Sequence, residues 1–383
     1  MSLRPHKKLL LHVGLQKTGS TTVQEYLLNN YVALASSDFQ VLSKQGYGHH
    51  FALSHQLLSL DVFGGGTQAC YADEVDLSID QFPVWGKAMT LVLSAEDLCN
   101  IGPVAAKAIK AYAQRNGATI QVAIVFRDHI EWLYSMWTQE TKTGCVDLCQ
   151  YVQGLAAARY GFLSTTCRSW TEVGNQRIGL LKFQRQDFLA MFCARYEIPY
   201  IESPVIHGVD RSNTGHSMAE CLYRTALHTM VIHSLKSLAP TIPLGFVERQ
   251  FLTLSQRTRP VYEASRQFEE YLQRSDLVDS TYYGGDSFGH ISAYLCEWAT
   301  DAEIFYDQHR SLFDTDSQAT IEQLIQSATT NSEQLLQSPH KFRRLPQKDA
   351  ASLVPMNSQF ISLARTVAHL IVRQYEAVAA RSH

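Results

Sequence analysis

No stretch of this chain approaches the ~20 consecutive apolar residues needed to cross a bilayer, so a membrane span is not expected. The opening, MSLRPHKK, lacks the apolar core of a secretory signal, and the first strand-like run begins at Leu9. Neither charge sign is in excess. The net charge of −3 supplies no basic field for nucleic acid or an anionic membrane, so any anion site must be built locally. Paired CxxC spacing is also missing. The eight cysteines are scattered, and the one close pair, Cys145 and Cys149, has a CxxxC spacing that suits neither a zinc ribbon nor a redox motif. No metal cluster is expected. Buried free thiols in a reducing compartment are, which points to a soluble cytoplasmic protein. Internal repeats and low-complexity segments are not evident.

What is present is the composition of an ordinary globular protein, 45% apolar and 18% charged over 383 residues, enough for a large core. The first half alternates strand-like and helix-like segments. Leu9–Val13 is a short continuous apolar run, as in a strand buried on both faces of a parallel sheet. Val23, Tyr26, Leu27, Tyr31 and Leu34 then recur at helical spacing. FQVLS (39–43), MTLVLS (89–94), TIQVAIVF (119–126) and RIGLLKF (177–183) read as further strands. PVAAKAIKAYAQRNG (103–117), IEWLYSMWTQE and DFLAMFCARY read as helices between and after them. Strands separated by helices imply a doubly wound α/β parallel sheet flanked by helices.

From about residue 215 the pattern turns mostly helical, with TIPLGF and YYGGDSFGH read as loops and SPHKFRRLPQKD (338–349) as a basic connector. The last segment, QFISLARTVAHLIVRQYEAVAA, is an amphipathic helix expected to pack on its own domain. The expected organisation is a core over 1–235 and a helical part over 236–383, or one continuous domain.

The stretch HVGLQKTGSTT (12–22) joins the first strand to the first helix. Against the ATP-binding pattern G-x-x-x-x-G-K-[ST], Gly14, Gly19 and the hydroxyl of Thr21 fit, but Ser20 holds the lysine position and Lys17 precedes Gly19. A strand, such a turn and a helix aim several backbone N–H groups at one anion. A triphosphatase also needs a carboxylate at a strand end to organise magnesium. The strand ending AIVFRD offers Arg127 first, which suits a phosphate, and Asp128 only second.

Lys17-Thr18-Gly19-Ser20-Thr21 resembles the 5′-phosphosulfate loop, K-[ST]-G-[ST]-T, of sulfotransferases that use 3′-phosphoadenosine-5′-phosphosulfate (PAPS). FRDHIEWLYSMW is similar to their 3′-phosphate motif R-D-P-x-x-R-x-x-S, with Arg127 and Ser135 in place. His129 stands for the proline and Trp132 for the second arginine, while Thr22 follows the loop where cytosolic aryl sulfotransferases carry tryptophan. The resemblance is therefore nearer the carbohydrate-type and bacterial branches, and covers roughly residues 8–220 by this strand-helix reading.

The resemblance implies in-line attack of an acceptor hydroxyl on sulfur, with adenosine 3′,5′-bisphosphate leaving and no metal required. It assigns the donor to Lys17, Thr18, Gly19, Ser20, Thr21, Thr22, Arg127 and Ser135. A lysine upstream of Gly19 reaches the oxygen bridging phosphorus and sulfur, where leaving-group charge builds. For the base, His50 in GYGHHFALSHQLL is the first choice and His49 the second. Glu96 in LVLSAEDL is a further candidate, as base or as a group orienting the acceptor, against a plain helix-capping role. His12 and His55 read as core and helix-face residues, Gly64–Gly66 as an acceptor-side loop, and Arg343 and Arg344 as a solvated linker; RSNTGHS (211–217) receives no role.

The acceptor implied is a carbohydrate, glycolipid or secondary metabolite, its walls supplied by the helical part; oligomeric state stays open. Two alternatives remain: a P-loop nucleotide or small-molecule kinase, and a PAPS-binding protein without catalysis.

Overall fold

The computed structural model describes residues 7–41, 84–143, 148–171, 177–201, 218–257, 286–337 and 358–380. Five strands form one sheet: β1 (Lys7–His12), β2 (Phe39–Val41), β3 (Thr90–Ser94), β4 (Ala118–Phe126) and β5 (Arg177–Lys182). Every pairing is parallel and the order is β2-β3-β1-β4-β5, the α/β class expected. Leu9, Leu10, Leu11, Leu91 and Val92 are fully buried. With both faces covered, a strand has no solvent side, so apolar residues run on without alternation.

The chain leaves β1 toward the β2–β3 side and later crosses back past β1 to β4. That reversal lies at the carboxyl end of β1, where open parallel sheets bind their ligands.

Seven helices fall between Ser20 and Arg195 among the described residues: α1 (Ser20–Asn29), α2 (Tyr31–Ala35), α3 (Pro103–Arg115), α4 (His129–Thr143), α5 (Leu148–Ala158), α6 (Leu163–Thr171) and α7 (Phe188–Arg195). Val23 and Leu27 of α1 and Phe188 and Phe192 of α7 join Leu10, Val92 and Val125 of the sheet in one buried cluster. Each such side chain contributes about 1.5–3 kcal/mol on burial, so the helix that opens at the loop is fixed to the strand that precedes it. The outer edge of β5 is covered: Ile178 bridges to Phe313, and Leu180 N–H donates to Ser317 Oγ at 2.8 Å. That satisfies groups an open edge would expose.

After residue 217 the described elements are helical: α8 (Met218–Leu238), α9 (Leu244–Arg257), α10 (Asp286–His309), a 3-10 turn (Arg310–Leu312), α11 (Thr315–Gln337) and α12 (Ser358–Ala379). Two segments read as loops begin helices instead. Leu244–Phe246 of TIPLGF open α9, and Asp286–His290 of YYGGDSFGH open α10. Pro243 O accepts the N–H groups of Phe246 and Val247 at 2.9 and 3.2 Å. A proline there lacks only an N–H that a helix start does not use, and Asp and Ser favour the same position.

The chain forms two compact units with interleaved segments. The first draws on 1–132, 159–213 and 296–329 and contains the whole sheet; the second draws on 133–158, 214–295 and 330–383 and is helical. Within the second, Phe360 and Tyr375 of α12 meet Tyr223 of α8 and Phe246 of α9 edge-on, with ring centroids 5.3 and 5.1 Å apart. No helix among the described residues is long and apolar enough to cross a membrane.

Candidate functional site

Beyond His12 the backbone continues alongside β4. Val13 N–H donates to Ala123 O at 3.0 Å, Leu15 N–H to Val125 O at 3.1 Å, and Val125 N–H to Gly14 O at 2.8 Å. These bonds carry the loop over the carboxyl end of the sheet. Gly14, Lys17 and Gly19 have φ of 91°, 62° and 85°. A Cβ on Gly14 would lie 3.1 Å from Glu96 O, and one on Gly19 2.7 Å from the rings of Phe183 and Phe188. Both glycines are thus demanded by backbone angle and by space. Thr18 is buried, and its Oγ1 donates to Leu15 O at 2.5 Å, closing the turn.

Gly19 caps α1, which starts with no side-chain cap and no acidic residue in its first turn. The first-turn amides of buried Ser20 and half-buried Thr21 and Thr22 stand at the positive end of that helix, which has no acidic side chain of its own there. That setting suits an anion. The turn is built from backbone and leaves little room for side chains at its glycines.

Arg127 follows β4 directly, and its side chain is only 12% exposed. Its Nε and Nη2 donate to Glu131 Oε2 at 3.1 and 2.8 Å, its Nη1 donates to Lys17 O at 3.4 Å, and its guanidinium lies 5.4 Å over the Phe183 ring. The loop and the arginine segment, 110 residues apart in sequence, are joined directly. Trp132, buried on α4, donates its indole N–H to Gln16 O at 3.0 Å. Ser135, on the same helix, is half-buried, and its carbonyl accepts the Thr138 hydroxyl at 3.0 Å.

Two carboxylates divide between structure and site. Asp128 Oδ1 accepts the N–H groups of Ile130 and Glu131 at 3.1 and 3.4 Å and caps α4, while its Oδ2 accepts the Ser327 hydroxyl at 3.0 Å. Glu96 opens the 3-10 turn Glu96–Asn100 just past β3, and its Oε1 accepts the hydroxyl of Ser20. Glu96 thereby touches the first residue of the helix that the loop opens. It offers an oxygen able to take a proton or to bind a cation.

His49 and His50 lie outside the described residues, as do His55, Gly64–Gly66, residues 211–217, Arg343 and Arg344. His12 is a core residue: Nδ1 pairs with Ser94 Oγ at 2.8 Å, the ring meets Phe192 edge-on, and burial lowers its pKa to about 3. His129 is buried edge-on against Trp298 at 4.1 Å, with neither ring nitrogen hydrogen-bonded, and burial lowers its pKa to about 4. Cys99, Cys167 and Cys193 are buried free thiols, and burial pushes Cys99 and Cys193 up to about 12. Among the described residues no group of three or more His, Cys, Asp or Glu could hold a metal ion.

The contacts from Glu131 and Trp132 were not foreseen from the sequence; the sole hint was that Trp132 departs from the motif. Comparison of the chain with protein-family models, curated proteins and solved structures finds no match in any of the three.

Proposed function

We propose that this protein transfers a sulfuryl group from PAPS to an acceptor hydroxyl by in-line displacement and releases adenosine 3′,5′-bisphosphate. The observation that carries this reading is the hydrogen bond from Arg127 to the Lys17 carbonyl, which joins two motifs recognised independently in the sequence. The amides of Ser20, Thr21 and Thr22 and the Thr18–Gly19 turn hold the 5′-phosphosulfate. Arg127 meets the 3′-phosphate; Ser135 enters that assignment on the motif alone. Lys17 stabilises charge on the departing oxygen more in the transition state than in the ground state. Glu96 takes the acceptor proton or orients the acceptor, with His50 and His49 as the other candidate bases. The acceptor is a carbohydrate, glycolipid or secondary metabolite, and the setting a reducing cytoplasm.

The test is transfer of radiolabelled sulfate from PAPS to a component of a cytosolic extract. Labelled product with the wild type and none with Lys17→Ala is expected. Donor binding without product from any acceptor would instead leave a catalytically silent PAPS-binding protein.

The Glu96 carboxylate, held against the start of α1 just beyond β3, favours one second reading, a P-loop kinase, in which it would organise magnesium together with the hydroxyl of Thr21. Stabilisation by ATP–Mg²⁺, and not by adenosine 3′,5′-bisphosphate, in thermal unfolding would select it.

A further inference from the structure

Lys17 is the one loop residue that holds a left-handed backbone without being glycine: its φ is 62°, between Gly14 and Gly19 at 91° and 85°. For an L-residue that conformation is disfavoured and persists where surrounding contacts over-determine it. Those contacts are identifiable. The two peptide groups flanking the Lys17 Cα each present their carbonyl to a side chain from one segment. Gln16 O accepts the indole N–H of Trp132 at 3.0 Å, and Lys17 O accepts Nη1 of Arg127 at 3.4 Å.

The indole is itself seated. It is 3% exposed, stacks on Tyr160 with ring centroids 6.2 Å apart and planes 15° from parallel, and packs on Gly161. A Cβ at Gly161 would come within 2.6 Å of Trp132 Cη2, and Gly161 has φ of 78°, so that position admits only glycine while the indole stays where it is. A buried indole N–H is a single donor that needs one acceptor. Here it spends that donor on the loop.

We propose that Trp132 is a positioning residue that, with Arg127, presets the left-handed conformation of Lys17 and so the aim of the loop amides. Where the resembling motif carries a second arginine, this chain uses a neutral donor to brace the residue assigned to the departing oxygen. The consequence for sulfuryl transfer rests on the function proposed above; the brace itself does not.

The experiment therefore has two readouts on full-length Trp132→Phe, which keeps a ring and removes the N–H. The first is hydrogen–deuterium exchange with no ligand added. Exchange of amides within residues 14–20 should accelerate roughly ten-fold, the weight of one net hydrogen bond, while amides of β1 and β4 change little. Unchanged loop exchange, or equal acceleration throughout the sheet, overturns the brace.

The second is calorimetric binding of adenosine 3′,5′-bisphosphate to wild type, Trp132→Phe, Lys17→Gly and the double variant. Glycine accepts positive φ without a brace, so Trp132→Phe should weaken binding roughly ten-fold beside Lys17 and by less than about three-fold beside glycine. Equal weakening in both backgrounds marks Trp132 as merely structural and overturns the proposal. If wild type binds no bisphosphate, the functional reading fails, and the exchange experiment still decides the brace.

Discussion

Lys17 is the residue on which the proposed chemistry turns. It sits in a loop whose anion cradle is mainly backbone, so its side chain can be removed without dismantling the site. Lys17→Ala should retain the wild-type melting temperature and lose about 10²–10³ in turnover with PAPS, or ~3–4 kcal/mol of transition-state stabilisation. Unchanged transfer would remove the role assigned to the lysine. The base is decided by the pH dependence of kcat/KM. A histidine base gives activity that falls as pH drops through about 6.5, whereas a profile without that limb removes His49 and His50 and leaves Glu96. At this scale the sequence was legible where a motif fixes residue type and spacing, as for Gly14, Lys17, Gly19 and Arg127. It was silent on partners. Nothing local in the chain says that Ser20 meets Glu96 or that Trp132 meets Gln16, because those contacts exist only once β1, β3 and β4 lie side by side.

Among elements, the loop–helix junction carries the sharpest steric demand. Gly19→Ala would place a methyl 2.7 Å from two phenylalanine rings at a φ of 85°. The expected cost is roughly 2–4 kcal/mol, visible as a lower urea midpoint together with loss of nucleotide binding. A variant with wild-type stability and binding would show that the junction tolerates what the geometry forbids. The strands were readable because burial on both faces turns each into an unbroken apolar run, and the parallel class followed from the helices between them. The starts of α9 and α10 were missed because Pro, Gly, Asp and Ser mark both a loop and the first turn of a helix. Composition alone does not separate the two.

For the molecule as a whole, buried imidazoles set the acid limb of stability. His12 and His129 ionise only near 3 and 4 in the folded protein but near 6.5 when unfolded, so unfolding takes up a proton at each as pH falls below 6.5. Their stabilising contribution is complete above 6.5 and is lost progressively toward 4. With both titrating, the fall in stability should steepen from about 1.4 kcal/mol per pH unit near pH 6.5 to about 2.7 near pH 5. His129→Leu keeps the volume and removes one titration, so that slope should drop by about half in chemical denaturation between pH 6.5 and 5. An identical slope would mean that His129 is not held neutral.

The account's central claim, that one surface grips a doubly phosphorylated adenosine between the Lys17 loop and Arg127, is tested most directly by calorimetry with adenosine 3′,5′-bisphosphate in metal-free buffer. Wild type should bind it at a single site, and Arg127→Ala should bind it about 100-fold more weakly, through loss of a charge-assisted contact. No binding by wild type, or equal binding by both, would contradict it.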